Sequence, residues 1–435
     1  TDSAIIQRSD VAGTTEAASI TEPVDDGLGS QNDGVLESEF VIEQGVSGSV
    51  IDNNIPNVSI SYKVGSDLDV TTASDVYFGP SNTALTQLNV GIVGDLGTGK
   101  TQAMTALLYN LVKQKQDGDL LPPRFLALDY KGEDKGFCTP EFIKATSARV
   151  IKGRRIPLNL FDIHGDENPD DSKISEISGF AFSTFKKLYS GLGAVQEMNF
   201  RNAIKESYRH AIAAGRRAPT IYDVKNNYHD QVKGKPDTLL NVLTNYVDQD
   251  IFEKDDNKIT SLKELLTGNV VVDLGVVSDI PRKMIIACIL NLYYDYMKSL
   301  PSRGYHNVSG EQHRIVDSVL VIDEAHNIMP LKFNILSTIL LEGREYGVGV
   351  WLASQYLSHF KQKDIDYLEP LKTWFILQVP NATRPEIERL GFTNVHQNFT
   401  QRVKTQERHQ CLYKDRDGSG KFIKLVSFFE LMIPD

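Results

Sequence analysis

The sequence predicts an α/β protein: a parallel sheet covered by helices on both faces, with a helical insertion inside it and a small β-element ahead of it. Three observations carry that reading. Seven apolar runs recur along the chain: LNVGIVG (88–94), RFLALDY (124–130), ARVIKG (148–153), NVVVDLGV (269–276), SVLVIDE (318–324), GVWLAS (349–354) and TWFILQV (373–379). Most are continuous rather than alternating, as expected of strands buried on both faces. Helical segments such as 99–116, 281–299 and 332–345 lie between them, and a glycine-rich loop joins the first run directly to the first of these helices.

Residues 1–47 are rich in Ser, Thr, Gly and acids and hold one aromatic, Phe40. They lack the apolar surface to offset chain entropy and read as a disordered acidic linker. Residues 48–88 change to short β-rich pieces, VSISYKV (58–64) and DVYFG (75–79), a small β-element leading into the core. The first part of the core spans 89–164. From 165 to 265 the signal is mostly helical, starting at the acidic loop GDENPDD (165–171), and is expected to be an insertion. The second part, 266–435, closes with QCLYKD (410–415) and GKFIKLVSF (420–428) joined by RDGS, which predicts an antiparallel hairpin.

The formal net charge of −11 belongs mainly to the tail. Residues 1–50 carry ten acids and a single base, Arg8, so the body is nearly neutral and a local basic surface for nucleic acid is compatible with it. Cys138, Cys288 and Cys411 are few and scattered, which excludes a disulfide framework and fits a reducing cytoplasm. No run of apolar residues is long enough to span a membrane. A start at Thr1, directly in tail-like sequence, is expected of a piece of a longer protein.

GDLGTGKT (94–101) matches G-x-x-x-x-G-K-[ST] in full, after a predicted strand and at the head of a predicted helix. Gly94, Asp95, Leu96, Gly97, Thr98 and Gly99, with Lys100, Thr101 and Gln102 opening the helix, form the expected nucleotide-binding segment. The glycines let backbone N–H groups face phosphate oxygens, and the helix adds its dipole. Lys100 is expected to reach the β- and γ-phosphates of ATP, and the Thr101 hydroxyl to ligate Mg²⁺.

SVLVIDEAHN (318–327) ends an apolar strand in two acids. Asp323 is expected at the carboxyl edge of the sheet holding Mg²⁺, directly or through water, and Glu324 to polarise the attacking water. Gln355, at the end of another strand, is placed to contact the γ-phosphate and is equally an ordinary polar strand end. Arg344 precedes that strand and is a candidate for the cation that a neighbouring subunit supplies, or a surface arginine without a role. Arg384 is a weaker choice. His326 reads as a packing neighbour of the acids, and Asp129, in LDYKGED, as a residue lining the site or a structural one. The nine histidines show no transition-metal spacing.

Taken together, GDLGTGKT, LDYKG, PLNLFDI (157–163), LVIDEAHN and above all EGREYGVGVWLASQ (342–355) resemble the HerA/FtsK superfamily of ring-forming ATPases, from about residue 75 to the end. The resemblance implies a RecA-like core assembled as a hexamer, Lys100 and Thr101 on phosphate and Mg²⁺, Asp323 and Glu324 in hydrolysis, Gln355 as sensor and Arg344 at the subunit interface. Within the superfamily, GTGKTQ and LDYKGED are similar to the C-terminal ATPase portion of the DptH (DndH) family, which serves phosphorothioation-dependent DNA restriction. That implies double-stranded DNA and a nuclease or other restriction subunits as partners, without a membrane.

Three functions stand open on the sequence: a motor on double-stranded DNA in a restriction or defence system, a conjugation- or secretion-type ATPase moving protein, and a slowly hydrolysing regulatory subunit. Lys186, Lys187, Arg201, Lys205, Arg209, Arg216 and Arg217 are candidate bases for a DNA channel. Arg201, Lys205 and Arg209 share a helix face, which is also what an ordinary solvated face looks like.

Overall fold

The computed structural model describes residues 58–433 except 73, 84–87, 117–121, 163–168, 234, 364, 393–394, 396 and 416–419. The expected linker, the RDGS turn and the start of the acidic loop therefore lie outside the described residues. All that are described fall in one compact unit, Asn54–Asp435.

The chain opens with β1 (Tyr62–Asp67), β2 (Asp75–Phe78) and β3 (Val90–Val93), then α1 (Lys100–Val112), β4 (Arg124–Asp129), α2 (Pro140–Thr146) and β5 (Arg149–Lys152). Five helices follow, α3 (Asp171–Leu188), α4 (Ala194–Ala213), α5 (Ile221–Gln231), α6 (Thr238–Asp248) and the short α7 (Leu262–Leu265). Next come β6 (Val270–Asp273), α8 (Asp279–Ser299), β7 (His306–Val308), β8 (Glu311–His313), β9 (Ser318–Ile322), α9 (Asn334–Glu342) and β10 (Val348–Ser354). β11 (Thr373–Ile376), α10 (Arg384–Arg389), α11 (Gln397–Thr405), β12 (Gln410–Lys414), β13 (Lys421–Leu425) and α12 (Phe428–Leu431) complete the chain.

Eleven strands make one sheet in the order β2-β1-β13-β12-β11-β3-β10-β9-β4-β6-β5. From β11 to β5 every pairing is parallel, and these seven strands are the seven apolar runs of the sequence. Their residues divide by alternation between two cores. Leu126, Leu128, Leu320 and Ile322 face α8, α9 and the inserted helices, whereas Phe125, Ala127, Val319 and Val321 face α1 and α2. In six of the seven, burial on both faces is what erases the polar alternation from the sequence, whereas β5 at the sheet edge buries only Ile151.

The remaining strands are antiparallel. β12 and β13 form the expected hairpin and extend the sheet from β11. The small β-element is not a separate piece: β1 pairs with β13, Gly65 opposite Leu425, so β1 and β2 continue the same sheet and cover the edge the hairpin would leave open. The two-stranded β7–β8 ribbon was not foreseen, because three-residue strands give no readable period. No helix among the described residues is long and apolar enough to cross a membrane.

Candidate functional site

All parallel strands end on one edge of the sheet, and β10 stands between β3 and β9. That places the loop after β3, the polar end of β10 and the acids after β9 side by side, although the chain separates them widely. The helical segment between β5 and β6 accounts for much of that separation.

The loop is slung between its neighbours before it reaches the helix. Gly94 N–H donates to the Ser354 carbonyl (3.2 Å) and Asp95 N–H to the Gln378 carbonyl (2.9 Å). The Thr98 hydroxyl donates back to the Asp95 carbonyl (2.9 Å), closing the turn. Leu96 at the tip is 76% exposed. Gly99 has φ +103° and a Cβ there would lie 2.7 Å from the His409 ring, so both its backbone and its surroundings demand glycine. α1 starts at Lys100 with no side-chain cap and no acid in its first turn. Its leading amides and dipole are therefore directed at the loop's hollow, a cradle for an anion. Lys100 is buried and its ammonium donates to the Gly94 carbonyl across the loop (3.2 Å). Burial lowers its pKa, and Glu324 and Asp323 act against that shift. Gln102 points elsewhere: its side-chain oxygen accepts from Phe429 N–H (3.1 Å) and fastens α12.

Asp323 is fully buried at the end of β9. Its Oδ1 accepts from Glu324 N–H (2.9 Å). Its Oδ2 faces the Lys131 ammonium at 2.8 Å as an ion pair, without a donor aligned on it as a hydrogen bond. The same Lys131 nitrogen donates to the Thr101 hydroxyl at 2.5 Å. Thr101 and Asp323 thus converge on one cation. This is the test of a divalent site that the structure itself supplies: a hydroxyl and a carboxylate, both hard oxygen donors, meeting around a positive charge. Mg²⁺ fits that pair, with phosphate and water oxygens left to complete its shell. Among the described residues no group of three or more His, Cys, Asp or Glu could cage a metal without such help.

Glu324 sits next to them with φ +50°, a left-handed conformation that costs a non-glycine residue about 1 kcal/mol. The strain directs its carboxylate toward Gln355, whose Nε2 lies 3.4 Å from Oε2, and toward His326 Nδ1, also 3.4 Å away. His326 packs on His359 (ring centroids 4.9 Å), and His359 Nδ1 meets the Ser354 hydroxyl at 2.7 Å. Burial, then His326, lowers the His359 pKa.

Gln355 is therefore next to Glu324, and His326 lies beside the same carboxylate and packs on His359. Asp129 takes a structural role. It is completely buried and accepts N–H groups from Lys131 (2.8 Å), Phe137 (2.7 Å) and Cys138 (3.2 Å), which ties down the loop that carries Lys131. Burial raises its pKa against those bonds. Arg344 lies at the opposite edge, ahead of the first residue of β10, and donates to the Tyr305 hydroxyl (3.3 Å). Seven strand residues put it about 20 Å or more from the Ser354 end. Within one subunit it does not join the site. Arg384 opens α10 and is paired with Glu388 (2.6 Å). Lys131 is the residue that sequence reasoning passed over. It was visible inside LDYKGED, but no established loop-and-acid pattern assigns that position a task.

The inserted bases are largely spent on internal partners. Arg201 pairs with Glu197, Lys205 with Asp171, Arg209 with Glu206, Arg216 with Asp223 and Arg217 with Asp162. The Lys187 ammonium donates to the Lys332 carbonyl (2.7 Å). The face that Arg201, Lys205 and Arg209 share is therefore neutralised rather than a free basic stripe.

No family model matches the chain, and no curated protein sequence matches it. Solved structures do. VirB4 of Thermoanaerobacter pseudethanolicus aligns with TM-score 0.61 at 16% identity, over 85% of this chain and 97% of that one. The plasmid coupling protein TrwB in complex with ADP and Mg²⁺ aligns with TM-score 0.51 at 13% identity, over 78% and 85% of the two chains. At such identities the likeness is one of fold: the chain has the RecA-like P-loop ATPase fold.

Proposed function

We propose that this chain is an Mg²⁺-dependent ATPase that drives a polymer through a ring of its own copies, with double-stranded DNA as the polymer. The observation that carries the chemistry is the convergence of the Thr101 hydroxyl and the Asp323 carboxylate on one cation, beside the uncapped start of α1 and the buried Lys100. TrwB, which shares the fold, has a solved structure in complex with ADP and Mg²⁺.

Lys100 binds the β- and γ-phosphates and orients them against the loop amides. Thr101 and Asp323 hold the metal, which supplies charge neutralisation on the phosphate oxygens. Glu324 positions a water and takes its proton at a carboxylate oxygen, and Gln355 with His326 fixes the angle of that carboxylate. Arg344, remote from its own subunit's loop, acts in the ring on the site of a neighbour.

The DNA assignment rests on the likeness of GTGKTQ, LDYKGED and EGREYG…ASQ to the DptH branch of the HerA/FtsK superfamily. In that reading the chain is the translocase of a restriction or defence system and works with a nuclease or other restriction subunits in the cytoplasm. A second reading, a conjugation- or secretion-type ATPase that moves protein, draws on one observation: the inserted bases that would line a DNA channel are mostly paired internally. A slow regulatory subunit is disfavoured by Glu324, which a non-hydrolysing site has no need to hold in a strained conformation.

The deciding experiment is the ATPase rate with and without duplex DNA, run beside light-scattering mass. Stimulation by DNA together with a mass of about six chains supports the motor. Hydrolysis indifferent to DNA but intact in a ring moves the assignment to protein transport, and a flat rate under all conditions overturns catalysis.

A further inference from the structure

Lys131 lies between the two oxygen donors of the candidate metal site. Its ammonium touches two residues that the proposed function gives to the metal, Thr101 (2.5 Å) and Asp323 (2.8 Å), and among the described residues no other side chain bridges the two. The loop carrying it is unusually well fastened for a segment with an exposed side chain. Asp129 receives its backbone N–H, and the next residue, Gly132 (φ +68°), runs so close to the loop after β6 that a Cβ there would sit 2.9 Å from Gly275 Cα. A flexible lysine tip is thus mounted on a rigid base and aimed between the two oxygen donors.

We propose that Lys131 is a resident counter-ion of the metal site: its ammonium occupies the position between Thr101 and Asp323 that a divalent ion takes, and the ion must displace it to bind. This rests on the metal-site reading above and adds a regulator to it. The physical argument is charge balance. Asp323 is fully buried and Glu324 nearly so, and a buried carboxylate without a counter-charge is costly. Lys131 neutralises the cluster when no divalent ion does. When one arrives, two positive charges cannot share a point between the same oxygens, so the ammonium swings out on its long stem. Lys131 is accordingly a positioning residue that weakens metal affinity and protects the empty site from collapse.

The test uses the full chain, Mn²⁺ alone as the probe, and electron paramagnetic resonance to count free metal. Lys131→Met is expected to bind Mn²⁺ about tenfold tighter or more, since a charged contact to Asp323 no longer has to be broken. Its thermal midpoint in EDTA is expected to drop and to be restored by Mg²⁺, whereas wild type changes little. Lys131→Arg keeps the charge and is expected to stay near wild type in both measurements. Mn²⁺ affinity unaltered or weakened in Lys131→Met, while Asp323→Asn abolishes binding, overturns the inference alone. So does Lys131→Arg behaving as Lys131→Met does. Absence of saturable binding in wild type and in Asp323→Asn alike overturns the metal site itself and the inference with it.

Discussion

The carboxyl edge of the parallel strands and the inserted helices α3–α6 are both dense in charge, yet they dispose of it in opposite ways. On the helices, charges find local partners: Arg201 and Glu197 four residues apart, Arg209 and Glu206 three apart, with side chains that remain a third or more exposed. Exposed pairs of this kind contribute about 0–1 kcal/mol each. At the edge, Lys100 is brought from a distant part of the chain to Asp323 and Glu324; Lys100 and Asp323 are buried, Asp323 Oδ2 has no hydrogen-bond donor aligned on it, and the backbone at Glu324 is strained. Charge that is settled locally belongs to folding and solubility. Charge gathered at long range and left unsettled is what a ligand is needed to complete.

That contrast is sharpened most by Lys100→Ala. The variant is expected to abolish ATP hydrolysis, a loss of about a thousandfold or more, while far-UV circular dichroism and the unfolding midpoint stay at wild type. Turnover near wild type would refute the site. Glu324→Gln is expected next, with turnover down by about 10²- to 10⁴-fold and ATP still bound and retained on the protein in a filter assay. Normal hydrolysis there means that the base is another group. Asp129 is a poor substitute, because both its oxygens are occupied by backbone N–H groups.

The two regions also differ in how far the sequence revealed them. All seven parallel strands were legible, six of them because burial on both faces writes continuous apolar runs; the edge strand β5, where only Ile151 is buried, was legible by its β-branched pair Val150–Ile151. The loop and Asp323–Glu324 were legible because their chemistry fixes residue types at fixed offsets. The register of β1 on β13 was hidden, because nothing in an edge strand's composition names its distant partner. Lys131 was hidden for a related reason: its contacts with Thr101 and Asp323 join separate stretches of the chain, and the second exists only once β4 lies next to β9. The neutralised basic face was partly visible, as Glu197 and Glu206 lie within one turn of Arg201 and Arg209, but the pairing of Arg217 with Asp162 needs the fold.

Smaller effects probe the boundary between the regions. Asp129→Asn keeps the size and loses one strong acceptor, so the Lys131 loop is expected to be destabilised by about 1–3 kcal/mol in urea unfolding. His359 gives a weaker, pH-dependent signal. Its folded pKa is lowered by burial, so the unfolded chain binds the proton more readily. Stability is expected to be fully present above the ordinary histidine value, about 6.5, and to fall as pH drops through it toward the folded value. His359→Gln removes that dependence; an unchanged slope in melting against pH assigns it to other groups, among them His409, which is shifted the same way.

The smallest expected effect is the most pointed test of the comparison. Arg209→Ala deletes one of two partners of Glu206, the other being His210, on an exposed helix face, and the Arg209 side chain is 71% exposed. If this charge is settled locally, unfolding free energy shifts by under about 1 kcal/mol, ATP turnover is unaltered and, in the DNA-motor reading proposed above, the salt dependence of duplex binding keeps its slope. A shallower slope by about one would mean that Arg209 leaves Glu206 for a phosphate when DNA is present. The paired face would then be a binding surface held in reserve, and a local partner would no longer mark a charge as structural.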